Sequence, residues 1–124
     1  METLPFDSEL VSLGIFRSIE MKLKFIYTTF NQYDDAIKVK EHLVSSNLAI
    51  CVNLFKEVES LYQDDQEIIR SNEIAILIKS TMGKESQIID YLKENHPYEV
   101  PGIFSYCVES HNEKYNEWVD GKEA

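Results

Sequence analysis

Cys51 and His96 are two side chains of this sequence with the chemistry to hold a soft divalent ion, or to act as a nucleophile and its base. Cys51 lies in the apolar stretch Leu48-Ala49-Ile50-Cys51-Val52, where a small thiol packs as a core residue unless an electropositive neighbour activates it. No neighbouring residue in the sequence does so. His96 stands before Pro97, where an imidazole can serve a helix C-terminus or an orphan carbonyl, or act as a ligand in a cleft. His42, His96 and His111 are scattered, and neither cysteine belongs to a CxxC or Cys/His cluster. Glu59, Asp64, Asp65 and Glu67 form an acidic stretch that reads as a solvated tip, with weak cation binding as its minor reading. Tyr115 and Trp118, at helical spacing, read as packing residues.

The elements that position these residues follow from periodicity. Leu23 to Thr29 is a strand rich in Phe, Ile, Tyr and Thr. Asn31 is the expected N-cap of a helix whose apolar face is Ala36, Val39, Leu43 and Val44. Leu48 to Tyr62 and Ile68 to Ser80 are strands joined by the polar turn Asp64-Asp65-Gln66, hence an antiparallel hairpin. Ser80 or Thr81 caps a second helix carrying Ile88, Ile89 and Leu92, which stops before Pro97. Ile103 to Val108 is a last strand, and Asn112 caps a short helix with Tyr115, Trp118 and Val119 on one face.

The order β-α-β-β-α-β-α gives an α+β, ferredoxin-like split β-α-β sandwich with an added C-terminal helix. Helices cover one face of such a sheet, and a solvated second face shows alternation of apolar and polar residues. Ile74-Ala75-Ile76-Leu77-Ile78 does not alternate, so both faces call for burial and the second one is expected to meet other subunits. In this topology the strands of Cys51 and Cys107 occupy opposite edges, roughly 14 Å apart. A disulfide needs Cα atoms within about 7 Å, so an intrachain bridge is excluded. An intersubunit approach stays open.

Length and composition fit one soluble domain over residues 21–124, preceded by an acidic extension at 1–20 with one apolar patch, Leu10 to Phe16. Met21 as the native start and a docked extension are both open readings. The net charge of −10 is opposite to what nucleic acid or an anionic membrane selects. No apolar run reaches the roughly twenty residues of a membrane span, and no basic leader is evident, so a cytoplasmic location with reduced cysteines is expected.

The stretch Ile50-Cys51-Val52-Asn53, then Ser60-Leu61-Tyr62, then His96-Pro97-Tyr98-Glu99-Val100-Pro101, resembles the CutA family of divalent-cation tolerance proteins, and the likeness runs through residues 23–121. The resemblance implies a PII-like homotrimer in which the outer part of the hairpin reaches a neighbouring subunit. It implies a role in the response to divalent metals such as copper, with an ion or small ligand held in clefts between subunits. Cys51 and His96 are then the metal candidates. Asn53, Lys79 and Tyr98 match family positions and are the candidates for a ligand, Lys79 either anchoring an anion beside Tyr98 or simply ending its strand. Tyr62 and Trp118 match as well.

Departures matter here. Metal ligands attributed to some members are a cysteine after the first strand and two adjacent histidines before the proline, where this chain has Thr28, Asn95 and His96. Asp64 and Gln66 replace the Trp and Gly of a hairpin motif, and Gly102 replaces a Glu. No enzymatic role is expected. The segment Thr28-Thr29-Phe30-Asn31 lacks the arginine of an acylphosphatase loop, no Walker or GxGxxG motif occurs, and Cys51 is buried in a strand. A trimeric scaffold or PII-like signalling protein without a tight metal site is the alternative.

Overall fold

Strand β1, Met21–Phe30, alternates between two surroundings: Ile26, Thr28 and Phe30 point into a closed core, while Phe25, Tyr27 and Thr29 stay half-buried on the other face. The structure is a computed structural model that describes residues 21–123, so the extension expected at 1–20 lies outside the described residues. The order after β1 is α1 (Tyr33–Ser45), β2 (Cys51–Asp64), β3 (Glu67–Thr81), a 3-10 turn (Met82–Lys84), α2 (Glu85–Asn95), β4 (Phe104–Ser110) and α3 (Glu113–Glu123). The sheet order is β2-β3-β1-β4, with β3 antiparallel to both β1 and β2. This is the ferredoxin-like arrangement expected. Cys51 and Cys107 are on the two edge strands and both are free.

Residues 22–108 form one compact unit. Its core joins Ile26, Phe30, Ile76 and Ile78 of the sheet to Ala36, Val39 and Leu43 of α1 and Ile88 and Leu92 of α2. Val44, expected on the buried face of α1, is 46% exposed, because the stripe of 36, 39 and 43 already fills the contact with the sheet. The N-cap of α1 is Gln32 rather than Asn31, and no side chain caps it. Asp34 and Asp35 in its first turn still complement the positive helix end.

Helix α1 ends in a Schellman motif. Asn47 takes a left-handed conformation (φ 62°), its N–H bonds to the Val44 carbonyl at 3.1 Å, and the Leu48 N–H bonds to the Leu43 carbonyl at 3.0 Å. Leu48 and Ala49 thereby belong to the cap, and β2 starts at Cys51 rather than at Leu48. Helix α2 is likewise preceded by a 3-10 turn, so neither Ser80 nor Thr81 caps it through its side chain.

The hairpin turns on only two residues, Asp65 and Gln66, both with positive φ (52° and 70°), as a type I′ turn requires. The last β1–β3 pair is Phe30 with Ile74. From Val58 and Glu73 outward, β2 and β3 therefore pair only with each other. Between Phe55 and Val58 the register shifts by one residue, a β-bulge centred on Glu57, whose φ of 59° is unusual for a residue with a side chain. This overhanging ribbon exposes Leu61, Tyr62 and Ile68.

The second unit, among described residues, holds Met21 and residues 109–123. Asn112 caps α3 as expected, its Oδ1 accepting the Tyr115 N–H at 3.1 Å. Val119 is buried, whereas Trp118 is 49% exposed, its ring packed against Tyr115 with centroids 5.6 Å apart and under the Lys122 ammonium, 4.8 Å from its centroid. No helix among the described residues is long and apolar enough to cross a membrane.

Candidate functional site

Helix α2 stops at His96 because a residue before proline avoids helical geometry; His96 is extended (φ −75°, ψ 132°) and its ring turns back onto β1. The imidazole stacks on Phe30, with ring centroids 4.4 Å apart and planes 7° from parallel, and is only 9% exposed. Nδ1 accepts the backbone N–H of Tyr98 at 3.1 Å. That bond leaves the proton on Nε2, which donates to the Thr29 carbonyl at 2.8 Å with the Thr28 hydroxyl 3.1 Å away. Thr28 Oγ1 in turn donates to the Gly102 carbonyl at 2.7 Å. Burial holds His96 below its ordinary pKa, opposed by the bond to Thr29 and by the charges of Asp35 and Glu73.

Two residues on, Tyr98 joins a second cluster, around Glu73. Its carboxylate accepts hydroxyl protons from Ser60 (2.5 Å), Tyr98 (2.6 Å) and Thr29 (3.2 Å). Burial pushes the carboxyl up, but the three hydroxyl donors and the nearby His96 outweigh it, and Glu73 stays charged to lower pH than usual. The Tyr98 phenol moves the other way, raised by burial and by its bond to that carboxylate. Sequence reasoning missed Glu73, Thr29 and Ser60. The available signal was a lone carboxylate directly before the apolar run 74–78, on the strand face shared with Ala75 and Leu77.

The sequence-predicted residues fall into two groups. Cys51 pairs with Lys79 and Asn53 with Leu77, so these three share the face of the sheet opposite α1 and α2. Asn53 Nδ2 approaches Cys51 Sγ at 3.9 Å, and the Lys79 ammonium lies 5.8 Å from the Phe25 ring centroid. His96 and Tyr98 lie with Thr28, Thr29 and Glu73 instead. Glu73 and Lys79 are six residues apart on one strand, roughly 20 Å, so Lys79 and Tyr98 do not line one pocket within a chain. Cys51 and His96 are separated by two strand spacings and three to four residues, roughly 15 Å, and lie toward opposite faces. Ligands of one ion sit about 2.0–2.3 Å from it, so Cys51 and His96 do not form a joint metal site within the chain. No group of three or more His, Cys, Asp or Glu side chains suited to a metal occurs among the described residues.

Where the bulge lifts Lys56 and Glu57 out of the ladder, an open cavity of about 630 Å³ lies between the ribbon and the start of α1. Tyr33, Asn72 and Glu73 line it with them, and the Lys56 ammonium sits 4.9 Å from the Tyr33 ring centroid.

Two helices on one face of a β2-β3-β1-β4 sheet, with a hairpin arm overhanging its edge, define a protein of the ferredoxin-like, PII-like class. Residues 24–122 match the family described as CutA1 divalent ion tolerance protein, and the chain belongs to that family. The divalent-cation tolerance protein CutA of Thermococcus kodakarensis is 32% identical over 99 residues, spanning 80% of this chain and 94% of the relative. That of Thermotoga maritima is 34% identical over 94 residues, 76% of this chain and 92% of its own. Among solved structures, CutA1 of Ehrlichia chaffeensis superposes with a TM-score of 0.76 at 29% identity, over 82% of this chain and 95% of that one.

Proposed function

We propose that this CutA-family chain is a non-enzymatic homotrimer of the cytoplasm acting in the response to divalent cations such as copper, with an ion or small ligand taken in clefts between subunits. The observation that carries the proposal is the face of the sheet opposite α1 and α2. Phe25, Tyr27, Leu77 and Phe55 all lie on that face, Tyr27 directly opposite Leu77, with Lys79, Asn53 and Thr29 among them, and Tyr106 packs edge-on against Phe25 with centroids 5.8 Å apart. Phe55 and Tyr106 are each 48% exposed and Phe104 62%. Exposed aromatic side chains gathered on a sheet face in this way suit an interaction surface. A second copy supplies the same face by symmetry, and a closed ring of copies hides it in all of them. The overhanging ribbon, exposing Leu61, Tyr62 and Ile68, suits an arm laid on a neighbour. The free thiols of Cys51 and Cys107 suit a reducing compartment. Sedimentation at micromolar concentration tests the assembly: a single species of three times the chain mass is expected, and a stable monomer overturns it.

The engaged ring of His96 favours a second reading, a trimeric scaffold or PII-like signalling protein without a tight metal site. Calorimetric titration with Cu(II), Zn(II) and nucleotides separates the two. Saturable heat with a metal supports the first, and heat with a nucleotide alone supports the second.

A further inference from the structure

At the positions that the family resemblance associates with metal ligands this chain has Thr28, Asn95 and His96, and each makes another bond. A threonine hydroxyl is a poor substitute for a thiolate toward a soft ion, and that of Thr28 donates to the Gly102 carbonyl. Asn95 Nδ2 turns back to donate to the Tyr91 carbonyl at 2.9 Å, within its own helix. The two nitrogens of His96 are both used, one as acceptor for Tyr98 N–H and one as donor to the Thr29 carbonyl. A metal taken by either nitrogen strips a partly buried backbone group of its partner, and no metal-binding group of three or more His, Cys, Asp or Glu stands among the described residues to offset that loss. The donor set does not fit a copper ion.

The same bonds do something else. Glu73 and Ser60 stand just past Phe30–Ile74, the pair where β1 stops supporting the hairpin. Glu73 on β3 gathers hydroxyls from β1 (Thr29), β2 (Ser60) and the segment after α2 (Tyr98). His96 fixes that segment to β1 through Thr29 and holds the Tyr98 backbone. Four stretches of chain are tied at the root of the overhang. We infer that in this protein the family's metal-associated position takes no divalent ion through His96 and instead serves as an anchor that sets the base of the hairpin arm. The inference does not depend on the oligomeric state proposed above.

The test uses the full, untagged chain. Zn(II), being diamagnetic, is titrated while the imidazole ¹⁵N resonances are followed, and Cu(II) affinity is compared between the parent and His96→Gln. The His96 resonances are expected to stay in place through several equivalents of Zn(II), with Cu(II) affinity within about twofold in the variant. A metal-type shift of a His96 nitrogen, or the loss of one ion per chain in His96→Gln, overturns the metal part. For the anchor, amide exchange of residues 58–62 and 69–73 is expected to speed up about tenfold in Glu73→Gln, while the paired core of β1 and β3 keeps its rate. Tyr98→Phe provides the same comparison if Glu73→Gln does not fold. Unchanged ribbon exchange in the folded variant overturns the anchor. Sedimentation of the same samples keeps this outcome distinct from any change of assembly.

Discussion

The Tyr98 phenol donates to Glu73 Oε2 at 2.6 Å, and that one bond ties the segment after α2 to the strand that continues into the overhanging ribbon. Its energy depends on the partner being a carboxylate. A hydroxyl donating to a charged acceptor forms a shorter and stronger bond than one donating to a neutral group.

Tyr98→Phe removes that bond while keeping the ring that packs edge-on against His96, centroids 4.7 Å apart. A loss of about 1.5–3 kcal/mol is the range for a bond to a charged group, with the lower end expected because Tyr98 is half-exposed. Urea denaturation of both proteins at equal chain concentration measures it.

Acid should release the anchor in two stages. His96 has a folded pKa below its ordinary 6.5, so below pH 6.5 the unfolded chain binds more protons and stability falls as pH drops toward the depressed value. Glu73 is also depressed, from 4.5, so its stabilisation is intact above that pH and is lost as pH falls through its folded value. His96→Gln is expected to remove the upper stage and leave the lower one. Melting temperature against pH, from 7 downward, shows which stage each variant lacks.

The hairpin carries two correctable strains. Glu57 at φ 59° is a left-handed residue with a Cβ, and Glu57→Gly should stabilise by about 1 kcal/mol. Asp65→Asn with Gln66→Gly gives the turn its preferred residues and should add a similar amount. Chemical denaturation detects either change. A destabilised Glu57→Gly would mean that the Glu57 side chain makes an essential contact.

Charge on the sheet face opposite α1 and α2 should break the proposed trimer without unfolding the chain. Tyr106 is 48% exposed in the single chain, so Tyr106→Glu loses mainly its edge contact with Phe25 there. Sedimentation is expected to shift to the monomer mass while circular dichroism keeps its shape. An unchanged mass would place the contact elsewhere.

Much of the fold was legible because periodicity is local. The burial of Ile26, Ile76, Ile88 and Leu92 and the Asn112 cap follow from neighbouring residues. The misread boundaries lie where backbone geometry overrode composition. Asn47 in a left-handed cap drew Leu48 and Ala49 out of β2, and the bulge at Glu57 left no mark in the pattern of residue types. His96 and Tyr98 were visible through the proline motif. The carboxylate that Tyr98 serves was not, since its donors come from positions 29, 60 and 98 and meet only after the sheet is built. Helical spacing also brought Tyr115 and Trp118 together, with ring centroids 5.6 Å apart, while the lysine over Trp118 left no mark in the pattern.

A two-stranded ribbon leaving its parent sheet at Phe30–Ile74 has few tertiary contacts to hold it shut. In the proposed trimer its persistence would be set partly by mass action: dilution would favour fraying of the arm, and a neighbour's contact along Leu61, Tyr62 and Ile68 would quench it. Limited proteolysis between Leu61 and Ile68 would consequently report chain concentration, turning the arm into a built-in gauge of encounter.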